Sequence, residues 1–440
     1  MTAHAHGGAP PPGQPPAPPL AGLSLLETAH EDLVHDLQFD FYGTRLVTAS
    51  SDQKLKVWDC LQHDRTSWQL SDAWKAHDAS IVRVTFAHPD YGTLLASCSF
   101  DRTVRIWEEL DHEPRRSGRR WVLRARLVDS RAPVTDLAFA PAHLGLRLAT
   151  ASADGTIRIY EAMDVVNLAT WTLTEEIQVV ADPRGDADGP LSVSWCKAKH
   201  LYSVPVPAHA ADTLPPSSAA SNGPDSGANS LRGLGGTPFF TPSAMLVVGG
   251  GRAPNARIYY QDAAKSKWFP GDCLVGHQDL VNDVSWAPSM GRSYQLIATA
   301  CRDGKVRVFR IASGHSQYVH NPPSPAVDRN APASLPPQPV HHNNLVAAMA
   351  AANLGGPTSI TAPGVGGPAD SNAASPLITC VACLDEHRAQ VWRAQWNITG
   401  TVLSSSGDDG TVRVWKATGP AATQWERIQT IRMNQRTSAA

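Results

Sequence analysis

Gly407-Asp408-Asp409-Gly410-Thr411-Val412-Arg413-Val414-Trp415 reads as a tight Asp/Gly turn that opens into a short strand ending on an aromatic. Valine, arginine, valine, tryptophan is a period-2 pattern, so the segment is a β-strand with one buried face. The phrase returns along the chain. Asp52 leads into Lys54-Leu55-Lys56-Val57-Trp58, and Asp101 into Thr103-Val104-Arg105-Ile106-Trp107. Asp154 leads into Thr156-Ile157-Arg158-Ile159-Tyr160, and Asp303 into Lys305-Val306-Arg307-Val308-Phe309. Ala256-Arg257-Ile258-Tyr259, after a Gly-rich turn, is a weaker copy. Copies spread from start to end mark a repeat architecture, which takes precedence over a domain count based on length.

Around each copy a fixed unit recurs. A first strand carries paired apolar positions: Leu37/Phe39, Val84/Phe86, Leu137/Phe139, Val193/Trp195, Val284/Trp286 and Ala394/Trp396. A second strand follows, as in Arg45 to Ser50 or Leu94 to Ser99, and then the Asp turn with its aromatic-ended strand. A fourth strand closes the unit over Trp68 to Trp74, Trp121 to Val128, Trp171 to Val179, Trp268 to Leu274, Ile378 to Leu384 and Trp425 to Ile431. Four strands per unit, about 45 residues apart, describe an all-β protein of six propeller blades. A lone blade has two apolar faces with nothing to cover them, so blades stack, each burying a face against its neighbour.

The propeller is expected over residues 23–433. Residues 1–22, rich in Pro, Gly and Ala, bury too little apolar surface to offset the cost of ordering and predict a disordered arm. Insertions at about 199–243 and 312–376 have the same character, as does a tail at 434–440. The net charge of -2 gives no general pull toward nucleic acid or an anionic membrane. No apolar run is long enough to span a bilayer, and Met1 to Leu20 lacks the layout of a secretory signal. Seven cysteines, mostly inside strands, suit reduced thiols in the cytosol or nucleus. The composition therefore predicts a soluble intracellular chain with neither nucleic acid nor membrane insertion.

Several constellations imitate chemistry. His30, Thr48, Asp52 and Trp58 in the first unit have counterparts in His77, Ser97, Asp101 and Trp107. His277, Thr299, Asp303 and Phe309 form the set of the fifth unit, and His387, Ser405, Asp409 and Trp415 that of the sixth. A hydrolase would use one Ser-His-Asp site. Here the hydroxyl always lies four residues before the aspartate and the set recurs in four blades, as internal hydrogen bonding of a repeat requires. These residues are read as structural. Cys380-Val381-Ala382-Cys383 has zinc half-site spacing, but residues three apart in a strand point to opposite faces and no second pair stands nearby. Asn397-Ile398-Thr399 is read as a turn, and the arginines at 115, 116, 119, 120, 124 and 126 as a solvated blade edge. The residues expected toward a central channel, Asp36, Arg83, Asp136, Asp283 and Arg393, form no catalytic pair. No enzyme activity, metal or cofactor is expected.

The units resemble WD repeats, and among these the SEH-type nucleoporins of the Y-shaped nuclear pore complex. The marks are His30-Glu31-Asp32-Leu33-Val34-His35-Asp36, Phe39-Asp40-Phe41-Tyr42-Gly43, Leu95-Ala96-Ser97-Cys98-Ser99-Phe100-Asp101-Arg102-Thr103, Ile159-Tyr160-Glu161-Ala162 and Trp396-Asn397-Ile398-Thr399-Gly400-Thr401. The third unit departs in lacking the histidine, and the fourth in lacking both histidine and aspartate. The resemblance implies a non-enzymatic scaffold at the nuclear envelope, supporting transport of protein and mRNA with other Y-complex nucleoporins. It also implies an open propeller into which a helical scaffold nucleoporin inserts strands as a seventh blade. A second implied assembly is a SEA/GATOR-type complex at the vacuolar or lysosomal surface, in TOR signalling. The alternative is the related cage subunit of coat protein complex II, in vesicle transport from the endoplasmic reticulum.

The strand count points the same way. The sixth unit has its own closing strand, which leaves Leu23 to Thr28 as a spare one. An unpaired strand is a template for strand addition. The expected partner interface comprises Leu23, Leu25, Leu37 and Phe39, with Trp396 of the sixth blade as the opposite wall.

Overall fold

The computed structural model describes residues 26–61, 67–179, 190–199, 204–205, 239–240, 242–251, 253–262, 267–314 and 374–432. Six four-stranded antiparallel sheets are found there, each a meander in chain order apart from the short ladder inserted in the fourth. Four-stranded antiparallel meanders repeated in this way are the blades of a β-propeller. The chain divides into two compact units, Met1–Gln178 and Val179–Ala440.

The first unit holds three blades. Blade 1 runs through Val34–Phe39, Arg45–Ser50, Lys54–Cys60 and Trp68–Lys75. Blade 2 is Ile81–Phe86, Leu94–Ser99, Val104–Glu109 and Trp121–Leu127, and blade 3 is Val134–Phe139, Arg147–Ser152, Thr156–Ala162 and Trp171–Gln178. In the second unit, blade 4 is Ser192–Trp195, Ala244–Gly249, Ala256–Gln261 and Trp268–Leu274. Blade 5 is Val281–Trp286, Tyr294–Cys301, Val306–Gly314 and Ala374–Leu384, and blade 6 is Val391–Trp396, Val402–Gly407, Thr411–Ala417 and Trp425–Arg432.

The cores lie between blades. Val47, Ala49, Leu55 and Val57 of blade 1 pack on Ile81, Val84, Leu95 and Trp107 of blade 2. Ala298, Ala300, Val306 and Val308 of blade 5 pack in the same way on Val391, Ala394, Leu403 and Trp415 of blade 6. Each such Val, Leu or Ile side chain contributes about 1.5–3 kcal/mol when fully buried, so a blade is stable only beside another.

Two bulges break the period-2 parity. The ladder between third and fourth strands shifts just before the aromatic position in every blade, at Val57/Trp58, Ile106/Trp107, Ile159/Tyr160, Arg257/Tyr259, Val308/Phe309 and Val414/Trp415. A second shift interrupts the first strand in five blades, at Val34/Asp36, Ile81/Arg83, Val281/Asp283 and Val391/Arg393, and opposite Ala151/Ser152 in blade 3. A bulge turns the strand and re-aims its side chains.

The expected disordered arm and tail lie outside the described residues, as does most of both insertions. The first insertion has some structure of its own: Val204–Pro205 pairs with Phe239–Phe240, and Val204 is fully buried. The second is shorter than expected, because the strands of blade 5 extend to Gly314 and back to Ala374.

Candidate functional site

In blade 6 His387 links two strands. Its Nδ1 lies 3.1 Å from both carboxylate oxygens of Asp409, and its Nε2 lies 2.7 Å from Ser405 Oγ. Trp415 Nε1 donates to the same hydroxyl at 2.9 Å. The neutral tautomer that satisfies every group has Nδ1–H on the carboxylate and Nε2 accepting from the serine. Blade 2 repeats this: His77 to Asp101 at 2.9 Å, His77 to Ser97 at 2.8 Å and Trp107 to Ser97 at 3.0 Å. Blade 1 does so with His30 to Asp52 at 2.7 Å, His30 to Thr48 at 2.8 Å and Trp58 to Thr48 at 3.3 Å. All three hydroxyls are buried and already accept an indole N–H, so no substrate carbonyl can reach them.

Blade 5 differs. His277 reaches Thr299 at 2.8 Å, but Asp303 is held by two nitrogens of Arg307, at 2.7 and 3.2 Å. Phe309 has no N–H to offer and lies 5.7 Å from the His277 ring. Thus the histidine–aspartate link expected in this blade is replaced by an arginine–aspartate pair. Blade 3, without a histidine, substitutes its own bond: Tyr160 donates to Asp129 at 3.0 Å.

Electrostatics follow the geometry. Burial pushes the imidazoles of His30, His77 and His387 below their ordinary value, against the pull of their aspartates. Burial and the nearby Arg307 lower His277 further, to about 4. Burial alone would raise Asp303, but Arg307 and the N–H of Gln278 hold it at about 2.

The faces of blades 1 and 6 are unlike the rest. Leu37 is 39% exposed and Phe39 52%, whereas Val84, Leu137, Val193, Val284 and Ala394, at the position of Leu37, are at most 5% exposed. Among the described residues, the aromatic neighbour of Phe39 is Trp68 of its own blade, with ring centroids 5.7 Å apart. In blade 6 the positions equivalent to fully buried Val47, Ala49, Leu55 and Val57 are Ser404, Ser406, Val412 and Val414, all half-buried. Trp396 is not part of that wall. It is half-buried, packs with blade 5 and donates to Ser285 O at 3.0 Å. Leu23 and Leu25 lie outside the described residues. Residues 26–28 of the spare segment are in no ladder, and the carbonyls of Thr28 and Ala29 accept from Lys56 Nζ at 3.0 and 2.6 Å.

The remaining motifs resolve locally. Arg115 pairs with Asp59 at 2.9 Å, Arg120 with Glu109 at 2.6 Å and Arg124 with Glu108 at 2.5 Å, while Arg116 donates to Leu70 O. Asn397 accepts from the N–H of Thr401 and of Val402, closing a turn. Cys380 and Cys383 share one face, because the bulge pairs them with Phe309 and Arg307, two residues apart. Both are exposed, which corrects the opposite-face expectation. Among the described residues no group of three or more His, Cys, Asp or Glu is placed to hold a metal ion.

Comparison with known proteins agrees with this architecture. The chain matches the WD domain, G-beta repeat family (WD40) over residues 23–59, 68–108, 121–161, 269–310 and 378–416. It is 35% identical over 404 residues to Nucleoporin SEH1 of Saccharomyces cerevisiae, covering 90% of this chain and 96% of that protein. It is 35% identical over 395 residues to Nucleoporin seh1 of Schizosaccharomyces pombe, covering 90% and 92%. To Nucleoporin SEH1 of Homo sapiens it is 37% identical over 391 residues, covering 88% and 82%. With identity at this level across nearly the whole length of both chains, the protein belongs to the SEH1 family of WD-repeat nucleoporins.

Proposed function

We propose that this chain is a non-enzymatic scaffold subunit of the outer ring of the nuclear pore complex. It joins the Y-complex by accepting strands of a helical scaffold nucleoporin as a seventh blade. The observation that carries this reading is the bare first strand of blade 1, where Leu37 and Phe39 are exposed although the counterparts of Leu37 are all buried and those of Phe39 are buried or half-buried. Apolar surface of that kind, continuous with an edge strand, suits strand addition and a large interface with a core like that of a domain. In blade 6 the half-buried face of Ser404, Ser406, Val412 and Val414, whose equivalents in blade 1 are fully buried, is a second surface open to cover by an added blade. The names of the relatives support the pore over the coat protein complex II cage. Support for nucleocytoplasmic transport of protein and mRNA is the role such a scaffold plays. Membership of a SEA/GATOR-type complex rests on the family resemblance alone and would use the same bare face.

Affinity purification with mass spectrometry tests the reading. The wild-type chain recovers Y-complex nucleoporins in stoichiometric amount, and both Leu37→Asp with Phe39→Asp and deletion of residues 1–29 lose them. Recovery of coat scaffold subunits instead, or unchanged capture by both variants, overturns it.

A further inference from the structure

Each first strand carries one residue immediately before its inner apolar position: Asp36, Arg83, Asp136, Ser192, Asp283 and Arg393. The first strand is an edge of its sheet, so N–H groups on its outer side lack a ladder partner. The preceding blade meets that need. Asp36 of blade 1 accepts from the N–H of Val84 in blade 2 at 3.0 Å. Ser192 of blade 4 accepts from the N–H of Val284 in blade 5 at 3.1 Å, and donates to Asp283 at 3.0 Å. Asp283 of blade 5 accepts from the N–H of Ala394 in blade 6 at 2.9 Å.

Blade 2 carries an arginine at this position and cannot follow the rule, since a guanidinium accepts nothing. There the next blade brings its own acceptor. Asp136 of blade 3 takes the N–H of Leu137 at 2.9 Å, and its carboxylate pairs with Arg83 Nε at 2.9 Å. Blade 6 also carries an arginine, Arg393, half-buried and without an ion pair among the described residues. Resting on the reading that a partner completes the propeller, we propose that Arg393 selects the incoming blade. The partner's first strand carries Asp or Glu immediately before its inner apolar residue, caps its own N–H with it and pairs that carboxylate with Arg393. A blade with a neutral or basic residue there leaves a guanidinium desolvated without a counter-charge, which discriminates against it.

The test uses the full chain co-expressed with the helical scaffold nucleoporin that it captures. Arg393→Glu is expected to weaken capture at least tenfold, the lower end for loss of a desolvated charge pair. Changing the partner's first-strand acid to arginine restores it. Arg393→Met, which keeps the apolar stem, is the second variant: it weakens capture without rescue by the partner swap, and the Tm of the free chain stays at the wild-type value. Equal capture by the wild type and both variants overturns this inference while leaving blade completion standing. Rescue of Arg393→Glu by Asp36→Arg within the chain, rather than by the partner swap, also overturns it, because the counter-charge then comes from blade 1. Failure of the wild-type chain to capture the nucleoporin at all defeats the underlying reading instead.

Discussion

Asp303 and Arg307 form a two-pronged ion pair four residues apart on blade 5, with the carboxylate 5% exposed, while the blade's histidine bonds to Thr299 alone among the set. In blade 6 the equivalent carboxylate, Asp409, receives His387 as well as Arg413, the latter at 2.8 Å. Double-mutant cycles measured by urea unfolding separate the two arrangements. The His387/Asp409 pair is expected to couple by about 1–2 kcal/mol and the His277/Asp303 pair by about zero, within the range for contacting polar residues. A large coupling in blade 5 would contradict the geometry.

The buried histidines make stability depend on pH in a definite direction. Their folded values lie below the unfolded value, so each contributes stability that is fully present above about pH 6.5 and is lost as pH falls through the folded value. His277, at about 4, sets the lower end of this window. The lowered aspartates Asp52, Asp101, Asp303 and Asp409 add their own loss only at still lower pH. Tm is therefore expected to fall steadily between pH 7 and pH 4, and His277→Asn to flatten that slope. A Tm that rises on acidification would refute this account.

The turn after each aspartate needs a left-handed residue. Glycine supplies it in blade 6, where Gly410 has φ 67°, but Gln53 and Arg102 adopt φ 68° and 67° in blades 1 and 2. A side chain in that region costs about 1–2 kcal/mol, partly offset by the greater freedom of glycine when unfolded. Arg102 is exposed and its side chain makes no ion pair among the described residues. Arg102→Gly should stabilise the chain by about 0.5–1 kcal/mol, read as a higher Tm.

Leu37 and Val84 occupy one repeat position with opposite burial. Val84→Ala is expected to cost about 2 kcal/mol through its cavity, and Leu37→Ala under about 0.5 kcal/mol in the free chain. With the partner bound, the Leu37 variant should cost as much as the Val84 one. Equal costs in the free chain would mean that blade 1 is already covered.

Thiol accessibility follows the fold rather than the strand parity. Cys380 and Cys383 should react first with a maleimide, as a pair on one face of an outer strand. Burial raises Cys98 and holds Cys196 at about 12 and Cys301 at about 11, so these three should label only on unfolding. Early labelling of Cys98 would place it elsewhere.

The period-2 strands, the Asp turns and the count of six blades were legible in the chain because each is a local pattern written several times. The hydroxyl, histidine and aspartate sets of blades 1, 2 and 6 were legible for the same reason, their spacing being constant. What no spacing could supply was the choice among partners that packing brings together. Asp303 took Arg307, Trp396 turned to blade 5, and a one-residue bulge put Cys380 and Cys383 on the same face. Alternation assigns sides of a strand only while the ladder is regular, and each bulge resets it. The stitching between blades lies beyond local reading altogether, since Asp36 meets Val84 48 residues away and Asp283 meets Ala394 111 residues away. Sequence thus determined what each blade is; tertiary packing alone decided which polar groups close the joints and left Arg393 without an ion pair among the described residues.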